Sequence, residues 1–215
     1  MTDHYFSADP SVPFARERFT CEVWGQRLEL VSGSGVYSRG RLDIGTSVLF
    51  RETDPPPPGR VLDLGTGYGV IGLAIAAAWR AAGVPVGADS AVTGVEVNQR
   101  AVLLAEENAA ALGLADRFGA CSPEAVPGST TFDEIWSNPP IRIGKQALHE
   151  LLLHWFARLR PGGRAVMVVG KNLGGDSLQT WLTDQGYPTT RLASAKGFRV
   201  LESRPEGRSL RADHP

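Results

Sequence analysis

One stretch governs what this chain can fold into: Val61 to Gly72, VLDLGTGYGVIG. A short apolar strand ends at Leu64, glycines follow at 65, 67 and 69, and an Ala/Ile/Leu helix opens at once. Glycines allow a tight turn and close backbone approach, and a helix start offers free N–H groups. In an open α/β sheet, that crevice is where a nucleotide-like ligand sits. The rest of the chain obeys the same grammar. Strands are expected at Arg60–Leu64, Ala91–Val97, Asp116–Cys121, Phe132–Ser137 and Arg164–Gly170. Helices are expected at Val70–Ala82, Gln99–Leu112, Lys145–Leu159 and Asp176–Gln185. Strand–helix alternation predicts an α/β fold, a mostly parallel sheet with helices on both faces. Two closing strands, near Thr189–Ala193 and Gly197–Glu202, have no helix between them and predict an antiparallel edge.

Ahead of this core lies a different region. Phe19 to Val31 alternates apolar and polar residues on both sides of Gly25-Gln26, the pattern of a β-hairpin. A glycine-containing loop, Ser32 to Arg41, leads to a short helix over Asp43–Glu52, with Asp43 at its N-cap. Then Pro55-Pro56-Pro57-Pro58-Gly59 breaks the chain, because four prolines neither continue a helix nor join a central strand. The expected organisation is an appendage at 1–54, a core domain at 60–203 and a flexible tail at 204–215.

Composition excludes several classes. Among 215 residues there are two cysteines, Cys21 and Cys121, and no CxxC or CxxH pair. A zinc ribbon, a thioredoxin-type site and a disulfide framework are therefore out, and a reducing compartment is favoured. His149 and His154 lie about 140° apart around a helix, so they do not form an i, i+4 metal pair, and no metal site is expected. The N-terminus lacks an apolar signal segment, and the longest uncharged run, Leu64 to Trp79, is too short to span a bilayer. A cytoplasmic protein without membrane contact is expected. Charge is uneven: residues 1–141 hold 10 Lys+Arg against 17 Asp+Glu, and residues 142–215 hold 12 against 6. A basic C-terminal third suits a polyanion, or reflects ordinary solvated faces.

The glycine turn does not read as a dinucleotide site. A G-x-G-x-x-G pattern from Gly65 needs glycine at Val70. Asp63, before the first glycine, suits a cationic ligand such as the ammonium and sulfonium of S-adenosylmethionine (SAM) and would repel a pyrophosphate. Glu96, at the tip of the next strand in GVEVN, can accept both ribose hydroxyls of an adenosine. It stands 27 residues beyond Gly69, against the usual ~20, and a loop insertion at Gly83–Ser90 explains the excess. Thr66 and Val97 flank these positions. Further on, FDEIWSNPPIRIG ends a strand in Asn138-Pro139-Pro140-Ile141. An exocyclic amine is a weak nucleophile because its lone pair is delocalised. The Asn138 side-chain oxygen and the Pro139 carbonyl can accept its N–H groups and turn the lone pair toward an incoming methyl. Alignment of that kind supplies most of the acceleration.

The order VLDLGTGYG, GVEVN, SNPP resembles class I SAM-dependent methyltransferases that modify amino nitrogens. Gly35 to Thr46, GVYSRGRLDIGT, together with SNPPIRIGK, is similar to the MTS-type small-subunit rRNA guanine-N2 methyltransferases, the methyltransferase C family. The resemblance covers about Phe19 to Val200. It implies a Rossmann-like seven-stranded sheet, methyl transfer to guanine N2 of ribosomal RNA or a ribosomal subunit, a flipped base and S-adenosylhomocysteine as product. Asp63, Gly65 and Gly67 match its SAM turn, Glu96 its ribose acid, and Asn138 to Ile141 its catalytic loop; Gly69 and Asn138 are also expected to border the cofactor. The adenine pocket is expected near Cys121-Ser122-Pro123, with Ser122 as a polar contact. Relatives often carry an aromatic residue after the two prolines and then histidine; Ile141 and Arg142 stand here. Arg142 is a candidate for a phosphate contact, Arg39 and Arg41 for a phosphate contact, for sealing the SAM pocket or for an ordinary surface role, and Trp24 and Tyr37 for base stacking. The bacterial relatives carry two methyltransferase-like halves, and this chain has one. Adenine N6, a protein glutamine amide, a non-catalytic SAM- or RNA-binding module and, last, a nicotinamide oxidoreductase are the alternatives.

Overall fold

The computed structural model describes residues 13–38, 40–140 and 143–206. The candidate residues Arg39, Ile141 and Arg142, and most of the expected tail, lie outside them. The core alternates as its sequence predicts: β3 (Arg60–Leu64), α2 (Val70–Ala81), β4 (Ala91–Val95), α3 (Gln99–Ala111), β5 (Phe118–Cys121), β6 (Phe132–Ser137), α4 (Lys145–Phe156), β7 (Leu159–Gly170), α5 (Gly175–Asp184), β8 (Thr189–Ala195) and β9 (Phe198–Ser203). Seven strands form one sheet in the order β5-β4-β3-β6-β7-β9-β8. β9 runs antiparallel to both β7 and β8, so the reversed strand lies one in from the margin.

Most boundaries fall within a residue or two of those expected, and the larger changes are at the end of α4 and the start of β7. The helix expected to reach Leu159 stops at Phe156, because Leu159 is drawn into β7 beside Phe132. β7 consequently starts before Pro161-Gly162-Gly163, and its register shifts between Phe132 and Glu134 as that segment passes.

Side chains alternate across the sheet and feed two apolar layers. Val61, Trp136, Val166, Val168 and Val200 face α2, α3 and the N-terminal elements. Leu62, Ile135, Met167, Val169 and Leu201 face α4 and α5.

The N-terminal hairpin is β1 (Arg16–Val23) and β2 (Gln26–Gly33), with Val23 opposite Gln26. Its turn is Trp24-Gly25, one residue earlier than the alternation suggested. A two-residue hairpin turn of this hand needs positive φ at both positions, and Trp24 (48°) and Gly25 (73°) supply it. The indole offsets that strain for Trp24: its Nε1 donates to the Phe50 and Thr53 carbonyls (3.0 and 2.7 Å), and its ring meets Phe50 and Trp136 edge-on. Trp24 is therefore an internal anchor and not a stacking platform. Buried Asn108 on α3 holds the hairpin down. It accepts from Val31 N–H and donates to the Val31 and Tyr68 carbonyls, at 2.8 to 2.9 Å. The helix α1 (Ile44–Arg51) packs on β7 and β9, and Asp43 caps it by accepting from Thr46 N–H. Val48, Leu49 and Phe50 enter the same apolar layer as β2 and α2, so residues 16–51 share the core of the sheet. No helix among the described residues is long and apolar enough to cross a membrane.

Candidate functional site

Strand register builds the site. Leu64 of β3 is paired with Val95 of β4 and Ser137 of β6, and Val95 with Cys121 of β5. The residues that leave the sheet next, Gly65, Glu96, Ser122 and Asn138, therefore emerge on one level. The strand order reverses between β3 and β6, the switch point where open α/β sheets bind ligands. A cavity of about 240 Å³ lies there.

The glycine turn is locked from below. Gly65 and Thr66 N–H groups donate to Val95 O (2.9 and 3.0 Å). Asp63 is fully buried under the turn, where the Gly72 N–H (2.8 Å) and the Thr66 hydroxyl donate to its Oδ2. Among the described residues its Oδ1 has no partner. Burial pushes the Asp63 carboxyl up to about 6, against the downward pull of the Thr66 and Gly72 hydrogen bonds. The glycines divide their work. A Cβ at Gly67 would meet nothing within 4 Å, so open space lies in front of that turn residue. A Cβ at Gly69 would strike Leu73 and Ala105, so Gly69 lets α2 and α3 approach. Both carry positive φ.

Glu96 spans the turn and the next loop. Gly67 N–H donates to its Oε2 (3.1 Å) and Asn98 N–H to its Oε1 (3.0 Å). Burial raises its pKa, and the backbone donors of Asn98, Gly67 and Val97 oppose the rise. Asn98 caps α3 through Arg100 N–H, and its Nδ2 reaches the Gly35 carbonyl (2.7 Å). This contact seats Val36, Tyr37 and Ser38 along the cavity wall.

Across the cavity, Asn138 follows buried Ser137, whose hydroxyl donates to Leu64 O (2.7 Å). The Asn138 Nδ2 donates to Asp43 Oδ2 (2.8 Å) and to Thr46 Oγ1 (2.9 Å), both on α1 and its cap. Tyr37, 44% exposed, donates its hydroxyl to Asp43 Oδ1 (2.8 Å). Pro139, Pro140, Leu173 and Phe198 complete this end.

Of the expected residues, Gly65, Thr66, Gly67, Glu96, Val97, Asn138, Pro139 and Pro140 line one cavity. Asp63 and Gly69 stand behind the wall. Ser122 is not at the wall; its neighbour Pro123 is. Arg41 contributes its carbonyl, which accepts from Tyr68 and Ser38 hydroxyls, while its side chain is exposed and off the cavity. Asp43, Thr46 and Phe198 were not anticipated as site residues. Asp43 was legible only as a helix cap; nothing local announces a partner 95 residues away.

Residues 27–202 match the methyltransferase small domain (MTS) family. The chain is 29% identical over 212 residues to the uncharacterized protein YbxB of Bacillus subtilis, covering 95% of this chain and 99% of that one. It is 36% identical over 206 residues to ribosomal RNA small subunit methyltransferase C of Pseudomonas entomophila, covering 94% of this chain and 58% of the relative. Among solved structures, a T. thermophilus 16S rRNA N2 methyltransferase in complex with AdoMet and guanosine is 26% identical. It superposes with a TM-score of 0.72, over 92% of this chain and 52% of that one. The chain thus spans little more than half the length of the relatives with a named rRNA activity.

Proposed function

The chain belongs to the methyltransferase small domain family, and from that premise we propose that it methylates an exocyclic amine, foremost guanine N2 of small-subunit ribosomal RNA. The family's donor is SAM, whose sulfonium supplies an electrophilic methyl and leaves as S-adenosylhomocysteine. The cavity fits that donor. Open space fronts Gly67. Both Glu96 oxygens accept backbone N–H groups, and with about four lone-pair sites between them the carboxylate keeps room for ribose hydroxyls. The unpartnered Asp63 Oδ1 adds uncompensated negative charge beneath the turn, suited to a cationic ligand end.

One observation carries the choice of an amine acceptor. The β3–β6 register sets Gly65 beside Asn138, and Asn138 has both N–H groups engaged by Asp43 and Thr46. The nitrogen end is spent on α1, so the amide oxygen is the end left to receive an amine N–H. An amine held by that oxygen and by the Pro139 carbonyl keeps its lone pair toward the methyl. Tyr37, Phe198 and Leu173 along the wall suit a planar base. Within 1–54, the described residues that line the cavity act as a substrate-facing cover over the 60–203 domain. The relatives named as rRNA methyltransferases favour RNA over the glutamine amide or adenine.

The test offers radiolabelled SAM with small subunits, large subunits, deproteinised rRNA and total protein. Label in guanosine of small-subunit rRNA is the expected result. Label in adenosine or protein keeps the chemistry and overturns the substrate. No label, despite SAM binding, overturns the enzyme reading.

A further inference from the structure

Asn138 is a side chain with two opposite faces. Its oxygen accepts and its nitrogen donates, and rotation by half a turn exchanges them at little steric cost. Facing an acceptor amine, the wrong face would set N–H against N–H. Something must choose the face.

Asp43 can make that choice because a carboxylate oxygen accepts and does not donate. Its Oδ2 lies 2.8 Å from Asn138 Nδ2, and Thr46 Oγ1 takes the second N–H at 2.9 Å. Among the described residues the Asn138 side chain makes no other hydrogen bond. The same Oδ2 receives the Thr46 N–H at 3.0 Å, which caps α1, and Oδ1 receives the Tyr37 hydroxyl at 2.8 Å. One carboxylate thereby joins the start of α1, the loop over the cavity and the amide at the end of β6. Asp43, Thr46, Tyr37 and Asn138 all border the cavity.

We propose that Asp43 is a positioning residue for methyl transfer: with Thr46, it fixes the Asn138 amide with its nitrogen toward α1 and its oxygen toward the acceptor amine. The inference rests on the reading of Asn138 as the residue that holds the amine. It assigns Asp43 a task separate from helix capping, and serine separates the two. Asparagine would not, because the oxygen that caps α1 is the one that faces Asn138. Serine caps a helix as well as aspartate does, but its hydroxyl is shorter and donates as well as accepts, so the accept-only contact with Asn138 is lost. Valine at 46 removes the second acceptor, and serine restores it.

The experiment compares wild type with Asp43→Ser, Thr46→Val and Thr46→Ser. It measures transfer to small-subunit rRNA, SAM affinity by calorimetry, and thermal midpoint. The amide exchange rate of the Asn138 side chain is followed by ¹⁵N NMR, its signals assigned through Asn138→Ala. Asp43→Ser should lower kcat about 10- to 100-fold, the scale expected of a displaced positioning group. KM for RNA, SAM affinity and thermal midpoint should stay near wild type. Thr46→Val should move kcat the same way, and Thr46→Ser should recover it. The Asn138 amide protons should exchange slowly in wild type and fast in Asp43→Ser. An unchanged kcat in Asp43→Ser, or a loss carried wholly by KM or SAM affinity, overturns the proposal. If wild type methylates no RNA, the preceding reading fails by itself, and the exchange rates decide on Asp43. Equal rates in wild type and Asp43→Ser reject it, and a faster rate in the variant sustains it.

Discussion

The two ends of the cavity are built in opposite ways. The end proposed for the methyl donor is local. Gly65 to Gly69, Asp63 beneath them and Glu96 one strand away are tied by backbone groups of neighbouring segments. The end proposed for the acceptor is assembled at long range. Asn138 comes from β6, Asp43 and Thr46 from the start of α1, Tyr37 from the loop before it and Phe198 from the last strand. A shared scaffold tolerates this division because a donor common to many enzymes needs a fixed cradle, while the acceptor differs from one to the next. Damage to the donor end should therefore appear in affinity and stability, and damage to the acceptor end in rate.

The largest effect should come from Asn138→Ala. Loss of the amine's principal acceptor should cut kcat by about a thousandfold, roughly 4 kcal/mol at the barrier. SAM affinity, measured by calorimetry, should change less than about threefold. A comparable loss of SAM affinity would break the division between the ends.

Next in size is the response of stability to pH at Asp63. The native carboxyl holds its proton up to about pH 6, while its ordinary value is 3.8. Between those values the folded state binds more protons than the unfolded chain, so stability falls as pH rises through the window and stays lower above it. The fall should be roughly 2–3 kcal/mol for a shift of this size. Glu96, also raised, adds in the same direction. Asp63→Asn should flatten the slope in denaturant titrations at pH 4 to 7 while weakening SAM binding. An unaltered slope in the variant would remove the idea that the donor end stores uncompensated charge. Glu96→Gln should follow, with SAM affinity down about tenfold, one charge-assisted hydrogen bond's worth, and kcat at saturating SAM near wild type.

The same contrast explains what the sequence revealed. The glycine turn, Glu96 and Asn138 were legible because each is a strand end followed by residues with strict local demands. Their meeting on one level was not, because it depends on the pairing of Leu64 with Val95 and Ser137. Asp43 read only as a helix cap. The charge asymmetry is the feature that the fold qualifies most. Arg160, Arg164, Arg191, Arg199 and Arg204 are engaged by Asp133, Glu134, Glu202 and Asp176 within the fold. Net charge counted along the chain does not see such pairing. Lys145, Lys171 and Lys196 are the exposed cations of that third with no ion pair among the described residues.

The smallest effect should come from Tyr37→Phe. The hydroxyl bonds Asp43 Oδ1, while the cap and the Asn138 contact both use Oδ2. Its removal leaves the orienting oxygen in place, and with the ring 44% exposed, water can replace the lost donor. The expected change in kcat is under about threefold, and the thermal midpoint should hardly move. The aromatic ring remains on the cavity wall, so KM for RNA should hold as well, whereas Tyr37→Ala should raise it by loss of stacking surface. A Tyr37→Phe variant as slow as Asp43→Ser would mean that Asp43 orients Asn138 only while the loop grips it. The acceptor end would then be a unit that closes with its cover, and the contrast with the rigid donor end would become one of motion as well as of assembly.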